Sequence, residues 1–447
     1  MGFTPLAGIE NRRTVWAWGM FDLANQSFTL LINTLLYALF FREVVVADAS
    51  IDDTLWSVAV AASLGIVVVL SPVLGAIADA RALKKEILMG LGLLCAALTC
   101  GLGLVPGGGT IGAIAVGIAL YIPANVAYQL GENFLASFLP EITTRKTMGR
   151  VSGFGWSMGY LGALVLLALT FVLMEVFGLQ EKSSWRPLFV FAGVWFLVMM
   201  TPTALFLHEK KRPERATVSR GIATEGFRRL ASTVRRAGEF RHLARFLVSF
   251  LVYGFGVQVV IFFATPIAEG FGIVGTGLVL FVAQITVVAG ITAMVVSRFQ
   301  DRIGHRRTVE IFLLIWAVNA IGLAFLALVR ASGGGEDAGV PTWPIWVVGN
   351  GLGIGLGGIG TSSRTMVGVF TPAHRTAEFF GLWGLTYKLA GLIGVLSFGV
   401  MRDAMGPVWA LALLASFFIA GFVILMTVNE GEGIRAAEEA ERVYEYE

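Results

Sequence analysis

Apolar runs of membrane-spanning length alternate with short polar breaks along almost the whole chain. Crossing the roughly 30 Å hydrocarbon core of a bilayer takes about 20 apolar residues as a helix. Twelve runs meet that length, near 14–41, 54–78, 86–105, 110–138, 148–176, 185–207, 241–269, 273–299, 307–329, 342–370, 377–402 and 405–428. Each predicts an α-helix, because in hydrocarbon a backbone segment must satisfy its own N–H and C=O groups. The expected fold class is an all-α polytopic membrane protein of twelve transmembrane helices, with the shortest breaks at 105–110, 269–273 and 402–405.

Composition agrees with the pattern. The 447 residues are 56% hydrophobic and 14% charged, against about 25% charged in an average soluble domain. Lys and Arg are unevenly placed. With a cytoplasmic N-terminus, the cytoplasmic segments collect 26 of 33 basic residues. The opposite side receives Arg42, Lys182, Arg186, Arg330 and Arg402, while Arg364 and Lys388 fall within runs. This asymmetry predicts cytoplasmic termini, and in a bacterium the inner membrane. Because the basic residues serve topology, nucleic acid is not an expected partner. Arg12 and Arg13 precede the first run, which is too long for the apolar core of a cleaved signal. Cys95 and Cys100 lie five apart on one helix and read as packing thiols.

Four charges interrupt the apolar runs: Asp22 in WGMFDLANQSF, Glu132 in YQLGENFLASF, Arg364 in GTSSRTMVGVF and Lys388 in GLTYKLAGLIG. A charge at the centre of a membrane helix costs about 2.5–3.5 kcal/mol on insertion scales, so it faces a partner or a watery path. Polar side chains line the same helices. Asp22, Asn25 (or Gln26), Thr29 and Asn33 share one face of the first run, and Asn125, Tyr128 and Glu132 one face of the fourth. Helix–helix hydrogen bonding is the plain account of such stripes, and for the lone Gln258, Gln284 and Asn319 it is at least as good as a pathway role. For the first and fourth runs a solute pathway is the sharper reading, with Gln258, Arg364 and Lys388 as candidates in the second half. Expected partners are a small-molecule substrate, membrane lipids and protons acting on a monomer, with no cofactor and no metal.

The chain divides six and six at 208–240. Within that linker GFRRLASTVRRAGEF sets Phe227, Leu230 and Val234 opposite Arg228, Arg229, Arg235 and Arg236, the pattern of a helix lying on an anionic membrane surface. The expected layout is an N-terminal bundle 1–207, the linker 208–240, a C-terminal bundle 241–428 and an acidic tail 429–447 without chemistry of its own. The halves repeat. GAIADARALKKE (75–86) answers SRFQDRIGHRRT (297–308), and Asp301 follows Asp79 by 222 residues. Pro372 follows Pro140 by 232, a spacing that also relates Glu132 to Arg364. Parallel duplication of six-helix halves is a known transporter layout.

SRFQDRIGHRR closely resembles the loop signature of the major facilitator superfamily. The first copy keeps Gly75, Asp79, Lys84 and Lys85 but has Ala80 and Ala82 where the signature has Arg and Gly. WAWGMFDLANQSFTLLINTLLYALFF, FLPEITTRKTMGRVSGFGWSMGYLGALV and GGIGTSSRTMVGVFTPAHRTAEFFGLWGL further resemble the vacuolar-effluxer (Atg22-like, or UMF1) family. Leu23 and Gln26 depart from that family's pattern. The resemblance implies two pseudo-symmetric six-helix bundles and secondary transport of amino acids or similar solutes by alternating access. Its eukaryotic members are associated with release from the vacuole, which corresponds to import in a bacterium. It further implies conformational locking by Asp79, Lys84, Asp301, Arg302 and Arg306. Glu132 pairing with Arg364 or Lys388 would gate the inner side, and Asp22 or Glu132 would carry a proton.

Other functions fit less well. His208, His242, His305 and His374 all sit at run boundaries with no metal-binding spacing, so an enzyme is not expected. A non-transporting sensor or scaffold has no use for polar stripes in both halves. A drug or lipid exporter of the same fold is the main alternative, disfavoured by the polarity of the interior.

Overall fold

A computed structural model describes residues 11–81, 83–143, 148–209, 241–332, 343–372 and 376–446, with Leu6, Ile9, Arg235 and Phe240. Nearly all of the linker's expected surface helix lies outside these residues. Twelve long helical stretches occur among the described residues: α1 Arg12–Val46, α2 Asp52–Arg81, α3 Lys84–Gly101, α4 Ile111–Ser137, α5 Met148–Phe177, α6 Arg186–Phe206, α7 Arg241–Gly270, α8 Thr276–Ile303, α9 His305–Ser332, α10 Trp343–Val369, α11 Thr376–Met405 and α12 Pro407–Leu425. A thirteenth helix, α13 Glu430–Tyr446, forms from the acidic tail.

Eleven of these are long and apolar enough to cross a membrane. The twelfth, α10, is long enough at 27 residues, but its eight glycines, Ser362, Ser363 and Arg364 lower its hydropathy. α1 runs on to Val46, past the expected end at 41, and is π-helical over Ser27–Leu35 and Phe41–Val46. Arg42 at its far end is buried and pairs with Asp52 at 3.0 Å, so a basic residue expected near the surface is instead neutralised within the fold.

The chain forms two compact units. Unit 1 is Met1–Asp52, Ala62–Phe227 and Gly275–Ala283, and unit 2 is Asp53–Ala61, Arg228–Val274 and Gln284–Glu447. In unit 1, α1 packs on α5 and α6, and α3 packs on α4 and α6. Unit 2 repeats the same four pairings, α7 with α11 and α12 and α9 with α10 and α12. The duplication seen in the loops therefore extends to helix packing.

Small residues set the closest approaches. In unit 1, Gly155 abuts Trp18 and the Asp22 carboxylate, and Gly162 abuts Leu23, so α5 lies against α1 where a Cβ would intrude. α10 carries two glycine ridges. Gly351, Gly355 and Gly358 meet Asn319, Trp316 and Phe312 of α9, while Gly353 and Gly357 meet α8 at Ile285 and Ala289. Trp316 Nε1 then donates to the Leu352 carbonyl at 3.1 Å.

Candidate functional site

Unit 1 gathers its polar side chains into an antiparallel ladder between α1 and α4. Asn25 Nδ2 donates to Glu132, and Thr29 Oγ1 donates to the Tyr128 hydroxyl at 2.8 Å. Asn33 Nδ2 donates to Asn125 Oδ1 at 3.2 Å, and the Tyr121 hydroxyl to Asn33 Oδ1 at 2.9 Å. Tyr37 closes the ladder with a 3.2 Å bond to the Gly117 carbonyl. From α2, Ser63 Oγ accepts from Asn125 at 2.6 Å and Ser71 Oγ from Asn133 at 3.0 Å. The π-helical stretch of α1 makes this regular. Its wider turn, marked by Thr34 Oγ1 donating to the Thr29 carbonyl five residues back, keeps side chains four apart nearly in line.

The rungs differ in exposure. Asn25, Asn33 and Asn125 are buried; other helices occupy the polar atoms of Asn33 and Asn125, while Asn25 bonds to Glu132 and accepts from its neighbour Gln26. Asp22, Gln26, Thr29, Tyr128 and Glu132 are half-buried. Phe28 stacks on Tyr128 with centroids 5.1 Å apart, fixing that ring beside Glu132.

Unit 2 presents a different chemistry on α7, α10 and α11. Phe250, Trp383 and Tyr387 form an aromatic cluster with centroids 5.4–6.5 Å apart. Half-buried Lys388 follows Tyr387, its Nζ 5.9 Å from that ring. Gln258 Nε2 donates to the Tyr387 carbonyl at 3.0 Å, so Gln258 positions α11. On α10, Ser363 Oγ meets the Tyr253 hydroxyl at 2.7 Å, next to half-buried Arg364. Two buried polar atoms here, Ser362 Oγ and Trp383 Nε1, have no hydrogen-bond partner among the described residues. An unmet buried donor costs about 1–3 kcal/mol, and a bound solute or water would relieve it. Gln284 bonds across to the Trp346 carbonyl and to Asn350 of α10, the helix–helix contact expected of it, whereas Asn319 bonds within its own helix, to the Ile315 carbonyl.

The loop residues split similarly. The side chains of Asp79 and Asp301 lie outside the described residues. Lys84 Nζ pairs with Glu141 at 2.8 Å in unit 1. Arg302 is exposed. Arg306 pairs with Glu310 at 2.7 Å and reaches the Val428 carbonyl at 2.8 Å. Two acids that the sequence reading passed over complete these loops. Glu209 accepts from the Lys85 N–H at 3.0 Å, and Glu430 accepts from the His305 and Arg306 N–H groups, each at 3.0 Å. Each acid follows the last span of its half and places a carboxylate on the N-terminus of that half's third helix, where the helix dipole favours negative charge. Glu430 follows Glu209 by 221 residues, close to the Asp79-to-Asp301 offset, and that repeat was the available signal. The tail is therefore anchored and is not a free extension. His242 Nδ1 accepts from the Asn429 N–H at 3.0 Å, and its Nε2 lies 2.8 Å from Glu432. Burial pushes the Glu209 carboxyl up; the Lys85 N–H opposes this, and Glu141 and Glu86 add to the rise.

This is polar and charged chemistry held inside duplicated apolar helices, and the comparisons with known proteins agree on what such a chain is. The family model for Atg22-like vacuole effluxers matches residues 37–438. The chain belongs to that family. A Bacillus subtilis protein described as an uncharacterized MFS-type transporter is 23% identical over 93% of this chain and 94% of its own length. Autophagy-related protein 22 of Yarrowia lipolytica is 24% identical over 72% of this chain, which spans 57% of that longer protein. Among solved structures, a D-xylose–proton symporter superposes with a TM-score of 0.74 at 14% identity, covering 94% of this chain and 99% of its own. The nucleoside transporter NupG does so at 0.64 and 13%, covering 94% and 98%. The fold is that of the major facilitator superfamily, and this member of the Atg22-like family is a multi-pass integral membrane protein of the MFS transporter type. Family and structural neighbours alike are transporters, not enzymes.

Proposed function

We propose that the chain is a proton-coupled secondary transporter that moves a small zwitterionic solute of the amino-acid class by alternating access. The carrying observation is the division of charge. Unit 1 offers half-buried carboxylates at Asp22 and Glu132, and unit 2 offers half-buried cations at Arg364 and Lys388. Such groups suit the two ends of a zwitterion, and the family's description as vacuole effluxers supports the class. Asp22 or Glu132 carries the coupling proton, since a carboxylate shielded in one state and wetted in another exchanges its proton between them. Pairing of Glu132 with Arg364 or Lys388 when the inner side is closed belongs to the same proposal.

A second reading rests on the aromatic cluster of Phe250, Trp383 and Tyr387, which would suit the flat apolar part of a drug or lipid. Uptake of labelled amino acids into proteoliposomes under an imposed pH gradient separates the two. Accumulation above equilibrium supports the proposal. Flux of hydrophobic drugs or lysolipids, with none for any amino acid, overturns it.

A further inference from the structure

At the end of unit 2 where α7, α9 and α11 finish and α12 begins, the helices leave a cavity of about 240 Å³. Its wall is mostly apolar, formed by residues such as Ile267, Phe271, Phe398 and Leu411, yet two arginines, Arg330 and Arg402, also line it. The two are not equivalent. Arg402 is neutralised by Asp53, with Nε 3.2 Å from Oδ2 and Nη1 donating to Oδ1 at 3.3 Å, and its Nη2 donates to the Pro266 carbonyl at 3.3 Å. Arg330 makes a single bond, from Nη1 to the Gly270 carbonyl at 2.9 Å, and no described carboxylate pairs with it. A guanidinium has five N–H donors, so four remain beside an apolar chamber. A free inorganic anion would use the charge and waste the apolar wall. An uncharged apolar molecule would do the reverse.

We propose that this cavity is a binding site for an anionic phospholipid. Its phosphate sits on the guanidinium of Arg330 in the bidentate geometry arginine favours, and the start of an acyl chain runs between Ile267, Phe271 and Leu411. The surroundings fit a membrane ligand. Phe325 and Leu328 on α9 and Trp409 on α12 are large, apolar and exposed, as lipid-facing side chains are. Arg330 lies two residues before the end of α9, at the depth from which arginine reaches the headgroup region. A zwitterionic phospholipid brings its own cation to the same phosphate, and that cation would be repelled by Arg330. The site therefore selects net negative charge.

The test uses the full chain purified in a neutral detergent, with melting followed while phosphatidylglycerol, phosphatidylcholine or sodium phosphate is added. A ligand that binds the folded state raises the melting temperature. Phosphatidylglycerol should raise it by about 3 °C or more beyond phosphatidylcholine, and phosphate alone should not move it. Arg330→Gln should remove that difference, and Arg330→Lys should keep part of it. Ala331 is exposed and lines the cavity, so Ala331→Trp should block the chain path and lower the difference with Arg330 intact; it also serves if Arg330→Gln fails to fold. Native mass spectrometry should find phosphatidylglycerol retained by the parent and lost from both Arg330→Gln and Ala331→Trp. Equal shifts from the two lipids, a difference that survives Arg330→Gln, or a shift reproduced by phosphate would each overturn the proposal.

Discussion

α4 and α10 occupy corresponding places in the two units, each packed on the third helix of its own half, yet they are built differently. α4 meets α1 and α2 through side chains: Asn125, Tyr128 and Glu132 each have a hydrogen-bond partner there. α10 meets α8 and α9 chiefly through missing side chains, five glycines that let backbone lie against Ile285, Ala289, Phe312, Trp316 and Asn319. One duplicated position thus holds a polar zipper and a steric one. Transmembrane hydrogen bonds contribute only about 0.6 kcal/mol each on average, whereas an intruding Cβ against backbone or indole has no cheap relief. The zipper of α4 is therefore more tolerant of change than the ridges of α10.

The sharpest way to break this comparison is to load the ridge. Gly355→Leu should destabilise the protein by more than about 3 kcal/mol and remove the monodisperse peak in size-exclusion chromatography. Gly360→Leu, where a Cβ meets nothing within 4 Å, should leave the peak intact. Equal behaviour of the two would mean that α10 packs otherwise.

Next come the charges within the membrane-length helices. Glu132→Gln should abolish uphill accumulation in pH-driven uptake while leaving exchange at equilibrium, and Asp22→Asn run beside it identifies which acid couples. Lys388→Met should weaken half-saturation by roughly tenfold, the effect of about 1.4 kcal/mol. Unaltered accumulation in both acid variants would exclude them as proton carriers.

The ladder itself should prove mild. Asn33→Val and Asn125→Val should each cost about 1 kcal/mol in thermal unfolding, and the double variant should show a coupling of similar size. A coupling above about 3 kcal/mol would make the zipper as stringent as the ridge.

The smallest expected effects lie at the carboxylates that cap α3 and α9. Glu430→Gln, which weakens two N–H contacts, should cost more than Glu209→Gln, which weakens one, with the first near 1 kcal/mol. Their pH dependence adds a sign. Burial raises the Glu209 carboxyl, so the folded state favours its protonated form. The resulting stability is present at and below the ordinary carboxylate range and is lost as pH rises through the elevated value. The melting difference between parent and Glu209→Gln should therefore shift against the parent as pH is raised through that window.

Most of the fold was legible because hydrocarbon leaves a chain little choice. Twelve apolar runs became twelve helices, and the paired loop motifs foretold the repeated packing. α1 escaped in part: the charges of Arg42 and Glu43 end the apolar run at 41, yet the helix reaches Val46 with Arg42 buried on Asp52. Of the candidate site, the stripes on α1 and α4 were visible as spacing, but spacing could not show that Asn33 and Asn125 would be buried against each other, or Asn25 buried on Glu132. The aromatic cluster around Trp383 went unread because aromatic residues in an apolar helix look like packing. Glu209 and Glu430 were missed because acids just beyond a span read as solvated, although their matching offsets were in plain view.

The π-helical stretch of α1 has a mechanical meaning as well. A π turn is an α-helix carrying one surplus residue, and the surplus can migrate by exchanging one carbonyl acceptor for the next without loss in the number of bonds. Each residue that the surplus passes is turned by about 100°, while the helix on either side keeps its phase. Ser27–Leu35 lies between the half of α1 that bears Asp22 and the half that bears Tyr37. α1 is thus a helix whose middle can re-aim a side chain such as Thr29 or Asn33 while its two ends, at Asp22 and Tyr37, stay in place.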